Sequence, residues 1–316
     1  MPLGDSITQA DSTHYGYRYA LWLRLIDAEV SLDLVGSMST NYGGNPIRPL
    51  HDGQSMDPQH EGHWGWETNE ILAGRPGAGK LATWLQSYTP DIVLLHLGTN
   101  DALHGHSTAS TVAELEQVIQ ALQADNPAVV ILLAKLIPST DPNASRIPLV
   151  NAEINGIARR RQTRLSRIVV VDQWGGFDPL ADLYDPWHPD ASGEAKMGQK
   201  WFEALMAVPP LGVSLRPAAD PGAFSWAATP GAQAYAVYRG LVSSLADANG
   251  DGLADGGYGS CATVLEGDEL TFSDPGPDPA SGQAVFLLVA PVTLHGEVSL
   301  GTSSTGLRRY ASAACP

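Results

Sequence analysis

The sequence predicts an α/β domain over residues 1–208, with a parallel sheet covered on both faces by helices, and a small β-sandwich over residues 209–316. Three observations carry this. Apolar runs of strand length alternate with amphipathic helical patterns up to about residue 206. Past Pro209-Pro210 the chain turns to Ala, Gly, Pro and Ser with short alternating segments. With 43% hydrophobic residues, 316 residues suffice for a substantial core, yet no apolar run reaches the roughly 18 to 20 residues that span a membrane.

In chain order, Met1-Pro2-Leu3 is a short apolar segment ahead of Gly4-Asp5-Ser6-Ile7-Thr8. A strand usually has about five or six residues, so a few residues of the first strand are expected upstream, and an export signal is compatible with the chain. Tyr17 to Ala28 reads as a helix with Tyr19, Leu21, Leu23, Leu25 and Ile26 on its apolar side, and Val30 to Val35 as a strand. Residues 37–68 lack periodicity, and a loop of that length usually has a function. Gly79 to Ser87 reads as a helix, Asp91 to Leu97 as a strand, Thr111 to Ala124 as a helix and Ala128 to Ala134 as a strand. Pro148 to Arg164 reads as a helix whose Arg159, Arg160, Arg161 and Arg164 form a solvated end, Arg167 to Val171 as the last strand, and residues 190–206 as a closing helix. In the second domain, strands are expected near Phe224, Ala234, Ala262, Ala284 and Glu297, with Trp226 and Tyr238 as inward aromatic residues.

Acidic residues number 34 against 18 basic ones, a formal charge of −16, which disfavours nucleic acid and anionic membrane surfaces as partners. Cys261 and Cys315 both lie in the last quarter of the chain, far apart in sequence and away from the Ser6 region. They read as one structural disulfide in an exported protein, with two unpaired buried thiols as the alternative.

Ser6 stands at the end of an apolar run and just ahead of a helical pattern, at the mouth of a parallel strand where open α/β folds place their chemistry. It is the candidate nucleophile, although the same residues suit a plain turn. A serine hydroxyl needs a base, and the base an orienting group. His188, in Asp182-Leu183-Tyr184-Asp185-Pro186-Trp187-His188-Pro189, returns to the same sheet edge, and Asp185 can bond its imidazole within one turn. Oxyanion donors are expected from the Ser6 N–H, from Asn100 at the end of a central strand, and from Gly65, where a side chain would obstruct close approach. Asp5 is expected to support the turn.

These residues resemble the four blocks of the SGNH hydrolase superfamily, the GDSL-like lipases and esterases: Gly4-Asp5-Ser6-Ile7-Thr8, Gly65 within His60 to Trp66, Gly98-Thr99-Asn100-Asp101, and Asp185 to His188. The resemblance implies a three-layer α/β/α, flavodoxin-like fold. It gives Ser6 the role of nucleophile, Gly65 and Asn100 those of oxyanion donors, His188 that of base and Asp185 that of its partner, with no cofactor for catalysis. Met1 to Thr8 with Asp57 to Trp66 looks most like carbohydrate esterase family 3, which implies removal of acetyl groups from xylan and related sugars. Trp64 stands where Ser or Pro commonly precedes the glycine in that group; it narrows the pocket or offers a platform for a sugar ring. Trp187 is expected to wall the acyl pocket, favouring a short acyl group; the alternative for both tryptophans is packing of the long loop. The tail resembles a fibronectin type III-like module of secreted bacterial proteins, which implies an extracellular or periplasmic setting.

Asp247, Asn249, Asp251, Leu253 and Asp255 follow the spacing of a calcium loop, with Tyr258 where an EF-hand has its last glutamate. Structural calcium is expected there, against a solvated acidic hairpin. The rival functions are a generalist carboxylesterase or lipase for simple or longer-chain esters, a peptidase or thioesterase, and a carbohydrate-binding or adhesive protein whose C-terminal module carries the function.

Overall fold

Residues Pro2–Gly4 form β1, all three of them buried, between β2 (Glu61–Gly62) and β3 (Ile92–His96) of a five-stranded parallel sheet in the computed structural model. The structure describes residues 1–28, 30, 32–163, 165–208, 216–217, 223–226, 228–229, 232–246, 254, 256–293, 296–297, 300, 311 and 315. Two compact units divide the chain, Met1–Leu205 and Met206–Pro316.

In the first unit the sheet continues through β4 (Val130–Ala134) and β5 (Ile168–Val171), in the order β2-β1-β3-β4-β5. Helices flank both faces as three layers. Leu115, Val118, Ile119 and Leu122 of α6 (Thr108–Asp125) and Val150, Ile154 and Ile157 of α7 (Ile147–Arg161) share one buried cluster with Val93, Leu95, Ile131 and Leu133. Short helices α3 (Thr68–Ala73) and α4 (Leu81–Trp84) add Ile71, Leu81 and Trp84. Elsewhere α2 (Tyr17–Asp27) meets α8 (Ala191–Met206): Tyr17 lies 6.0 Å from Trp201, and Arg24 Nε donates to Gln199 at 2.6 Å. The remaining two helices, α1 (Ser6–Gln9) and α5 (Thr99–Leu103), follow β1 and β3 directly. No helix among the described residues is long and apolar enough to cross a membrane.

Several expectations change. Among the described residues, 30–35 do not form a strand, because Glu61–Gly62 takes the outer rungs of β1, pairing with Leu3 and Gly4. The helix over 79–87 shortens to α4, as Tyr88-Thr89-Pro90 leads the chain into the extended β3. On α2 the buried residues are Tyr17, Arg18, Tyr19, Leu21, Trp22 and Leu25, so Tyr19, Leu21 and Leu25 lie inward as expected, while Leu23 and Ile26 are half-buried. Arg160 and Arg161 are not merely solvated, since both pair with Glu116 of α6, at 2.7 and 2.5 Å. Arg164 lies outside the described residues.

The second unit is antiparallel. One sheet orders β10 (Thr271–Ser273), β7 (Ala223–Ser225) and β6 (Arg216–Pro217). The other orders β12 (Gly296–Glu297), β11 (Val285–Thr293), β8 (Ala234–Leu241) and β9 (Ser260–Glu266). Alternate residues of β8 enter two cores, as strand geometry requires. Tyr235 and Val237 pack with Trp226 and Phe272, whereas Tyr238 and Ala236 pack with Tyr258 and Leu300 beside Cys261 and Cys315. Those cysteines form a disulfide that closes 54 residues. All five residues expected to hold calcium, and Pro209-Pro210 at the expected boundary, lie outside the described residues.

The turn from β1 into α1 positions everything that follows. A Cβ on Gly4 would stand 2.2 Å from the His96 carbonyl oxygen and 2.4 Å from Thr8 Oγ1, so only glycine lets β1 and α1 close on β3. Asp5 caps α1, its Oδ1 accepting the Ile7 N–H at 3.0 Å. Burial, reinforced by the charge of Asp101, pushes the Asp5 carboxyl up to about 7. Gly4→Ala is expected to cost about 3 kcal/mol or more of stability, read as a lower urea midpoint. A carboxyl whose folded pKa stands above its unfolded value of about 3.9 holds its proton more tightly in the fold. Its contribution therefore favours folding in acid and is lost as pH rises from about 4 through 7. Asp5→Asn keeps the cap and removes this titration, so its melting temperature should gain on that of the parent between pH 5 and 8; a constant difference would contradict the assignment.

Candidate active site

Ser6 is the first residue of α1 and is 7% exposed. Its Oγ lies 2.9 Å from His188 Nε2, and His188 Nδ1 lies 2.7 Å from Asp185 Oδ2. The other oxygen of Asp185 accepts the backbone N–H groups of Trp187 and His188 at 2.8 and 2.7 Å. One carboxylate thus folds its own turn and orients the imidazole. With Nδ1–H donating to Asp185, Nε2 is left to accept the Ser6 proton. The turn is held from outside as well: Ser139 Oγ and the Thr140 N–H both donate to the Pro186 carbonyl, at 2.7 and 3.1 Å. Ahead of it, buried Asp182 accepts from Lys196 Nζ, Ser192 Oγ and the Asp178 N–H.

Gly65 and Asn100 line the same cleft of about 340 Å³ as Ser6, Asp185 and His188, with Trp64 and Trp187 on its walls. All five residues expected from the sequence for catalysis therefore border one space. Asn100 lies in α5, its Nδ2 donating to the Trp66 carbonyl at 2.8 Å, which leaves the second amide hydrogen for a ligand. The Ser6 N–H, at the first helical position, has no intrahelical acceptor. Gly65 has φ +71°, and an added Cβ there would meet nothing within 4 Å. Glycine is required at this position by its backbone conformation and not, as the sequence suggested, by a lack of space. Arg75 Nη2 fixes its carbonyl at 2.7 Å.

Trp64 both walls the cleft and packs the long loop. Its ring lies nearly parallel to Tyr42 of that loop and to His188, each at 4.6 Å. Trp187 is 37% exposed, meets His188 edge-on at 6.0 Å, and donates its indole N–H to Asp141 at 2.9 Å.

Four supporting residues were missed. Arg18 donates to the carbonyls of Thr8, Gln9 and Pro58 and to Asn41. Gln9 Oε1 accepts the Trp64 N–H at 2.8 Å. Asp101 accepts from the Thr68 N–H and hydroxyl, tying the Asn100 helix to the segment after Gly65; burial raises its carboxyl to about 6. Tyr184 stacks toward His188. The available signal was Arg18 itself, a charge inside the apolar stripe Arg18, Leu21, Trp22, Leu25.

Residues 3–196 match the model of the GDSL-like lipase/acylhydrolase family. A multidomain esterase of Ruminococcus flavefaciens is 30% identical over 224 residues, which is 65% of this chain and 28% of that protein. The chain thus spans less than a third of the length of that relative. A carbohydrate esterase family 3 structure from Talaromyces cellulolyticus is 31% identical, covers 65% of this chain and 95% of its own, and superposes with a TM-score of 0.57. A serine-to-alanine mutant of an acetyl esterase, solved with an acetate ion, is also 31% identical over the same shares, with a TM-score of 0.56. With the family model covering more than half of its residues, the chain belongs to the GDSL-like lipase/acylhydrolase family.

Proposed function

We propose that this protein is a serine ester hydrolase that removes short acyl groups, foremost acetyl groups, from carbohydrates such as acetylated xylan. The observation that carries the reading is the unbroken line Ser6 Oγ, His188, Asp185, at 2.9 and 2.7 Å, inside a cleft that also holds Gly65 and Asn100. Ser6 attacks the ester carbonyl while His188 Nε2 takes its proton. The oxyanion rests on the N–H groups of Ser6 and Gly65 and on the Asn100 amide. His188 then protonates the leaving sugar hydroxyl and activates the water that releases the acyl group. Trp64 and Trp187 limit the acyl side of the cleft, and the likeness to family 3 carbohydrate esterases and to an acetyl esterase supports acetyl as the group removed.

The C-terminal region, residues 209–316, is assigned in this reading as a fibronectin type III-like module of a secreted bacterial protein, acting in an extracellular or periplasmic setting. Its antiparallel sheets and the Cys261–Cys315 bridge support that assignment. Calcium held by Asp247, Asn249, Asp251, Leu253 and Asp255 is proposed from the sequence alone.

On a series of p-nitrophenyl esters, turnover should peak at acetate, with acetate also released from acetylated xylan oligosaccharides; a maximum at C8 or beyond would replace this reading by a generalist lipase. Ser6→Ala should abolish turnover, and Asn100→Ala should lower kcat by about 10²- to 10³-fold. EDTA should lower the unfolding midpoint of the chain, and an unchanged midpoint would remove calcium from the account.

A further inference from the structure

The imidazole of His188 turns about its Cβ–Cγ bond, and that turning carries Nδ1 and Nε2 away from Asp185 and Ser6 together. The two hydrogen bonds hold the ring at its edges. Contacts on the flat of the ring oppose the same motion.

Trp64 lies against the imidazole at 4.6 Å and 24°, and Tyr184 at 5.7 Å and 16°. Each is backed by another ring: Tyr42 stacks on Trp64 at 4.6 Å and 21°, and His14 on Tyr184 at 3.7 Å and 5°. The last pair is tied by one carboxylate, Asp11, which accepts the Tyr184 hydroxyl on Oδ2 at 2.8 Å and faces His14 Nδ1 with Oδ1 at 2.9 Å. Burial of that carboxylate is outweighed by the donors from Thr13, His14 and Tyr184, which hold it well below the ordinary carboxylate range.

We propose that these near-parallel rings are a positioning device for the base, in which Tyr184, anchored by Asp11, restrains the turning of the His188 imidazole about its Cβ–Cγ bond. The inference rests on the ester-hydrolase reading for its kinetic consequence but on geometry for its structural one. Tyr184 is a positioning residue: it makes no hydrogen bond to the reacting atoms, and it is 38% exposed, so its truncation removes little core.

The test compares the parent with Tyr184→Leu, Tyr184→Phe and His14→Leu, using p-nitrophenyl acetate and the His188 Hε1 resonance. Tyr184→Leu should lower kcat about tenfold with KM within about twofold, and should shift the resonance by removing the ring current. Tyr184→Phe keeps the ring but loses the Asp11 anchor, and should fall between the parent and Tyr184→Leu on both readouts; His14→Leu, farther along the stack, should give a smaller loss of the same kind. An unchanged kcat and an unmoved resonance in Tyr184→Leu would overturn the proposal, as would equal losses in the Leu and Phe variants. If the parent hydrolyses no ester, the hydrolase reading fails by itself and the resonance still decides the stack.

Discussion

Arg18 is 1% exposed and makes no ion pair among the described residues. Burial draws its guanidinium down to about 9, still protonated at neutral pH. A bare buried cation would be prohibitively costly, so its donors must all find acceptors. They find the carbonyls of Thr8 and Gln9 at the C-terminal end of α1, the carbonyl of Pro58 and the amide oxygen of Asn41. The negative end of the nucleophile's short helix is thereby neutralised and fastened to the long loop. Gln9 completes the link by taking the Trp64 N–H, so Ser6 and the Gly65 segment are set by one network. α1 has only four residues and no stability of its own; this cation supplies the order that helix propensity cannot.

The catalytic line and the parallel sheet were legible because both are written locally. Asp185 and His188 sit three residues apart in a proline-stiffened turn, and β3 and β4 are continuous apolar runs buried on both faces. What was not legible depends on contacts between distant segments. Glu61–Gly62 has no strand pattern and pairs only because β1 offers two rungs, whereas Val30 to Val35 has the pattern and lacks the rungs. The ring stack joins residues 14, 42, 64, 184 and 188, and no periodicity connects such positions. Composition did announce Arg18, since a charge within an apolar helical stripe must be satisfied somewhere.

Buried acids recur around the site. Asp5, Asp101 and Glu194 are each held where burial raises the carboxyl, to about 7, 6 and 7. Each accepts a backbone N–H: Asp5 from Ile7, Asp101 from Thr68, Glu194 from Gly16. Asp5 and Asp101 cap and tether the segments that carry Ser6 and Asn100, and Glu194 ties α8 to the turn before α2, while Asp185, with its side chain 29% exposed, is the one that faces His188.

Ser6 and His188 are separated by 182 residues, and α8 is tied to α2 and the turn before it through Glu194 on Gly16 and Gln199 on Arg24. During synthesis Ser6 emerges first and waits for nearly the whole unit before its proton acceptor exists. Contacts of this span close late, because the loop entropy must be overcome before they contribute. In the proposed reading, a chain that stops before residue 188 lacks the proton acceptor of Ser6, and the 2.9 Å contact between them forms only once the segment leading into α8 has docked.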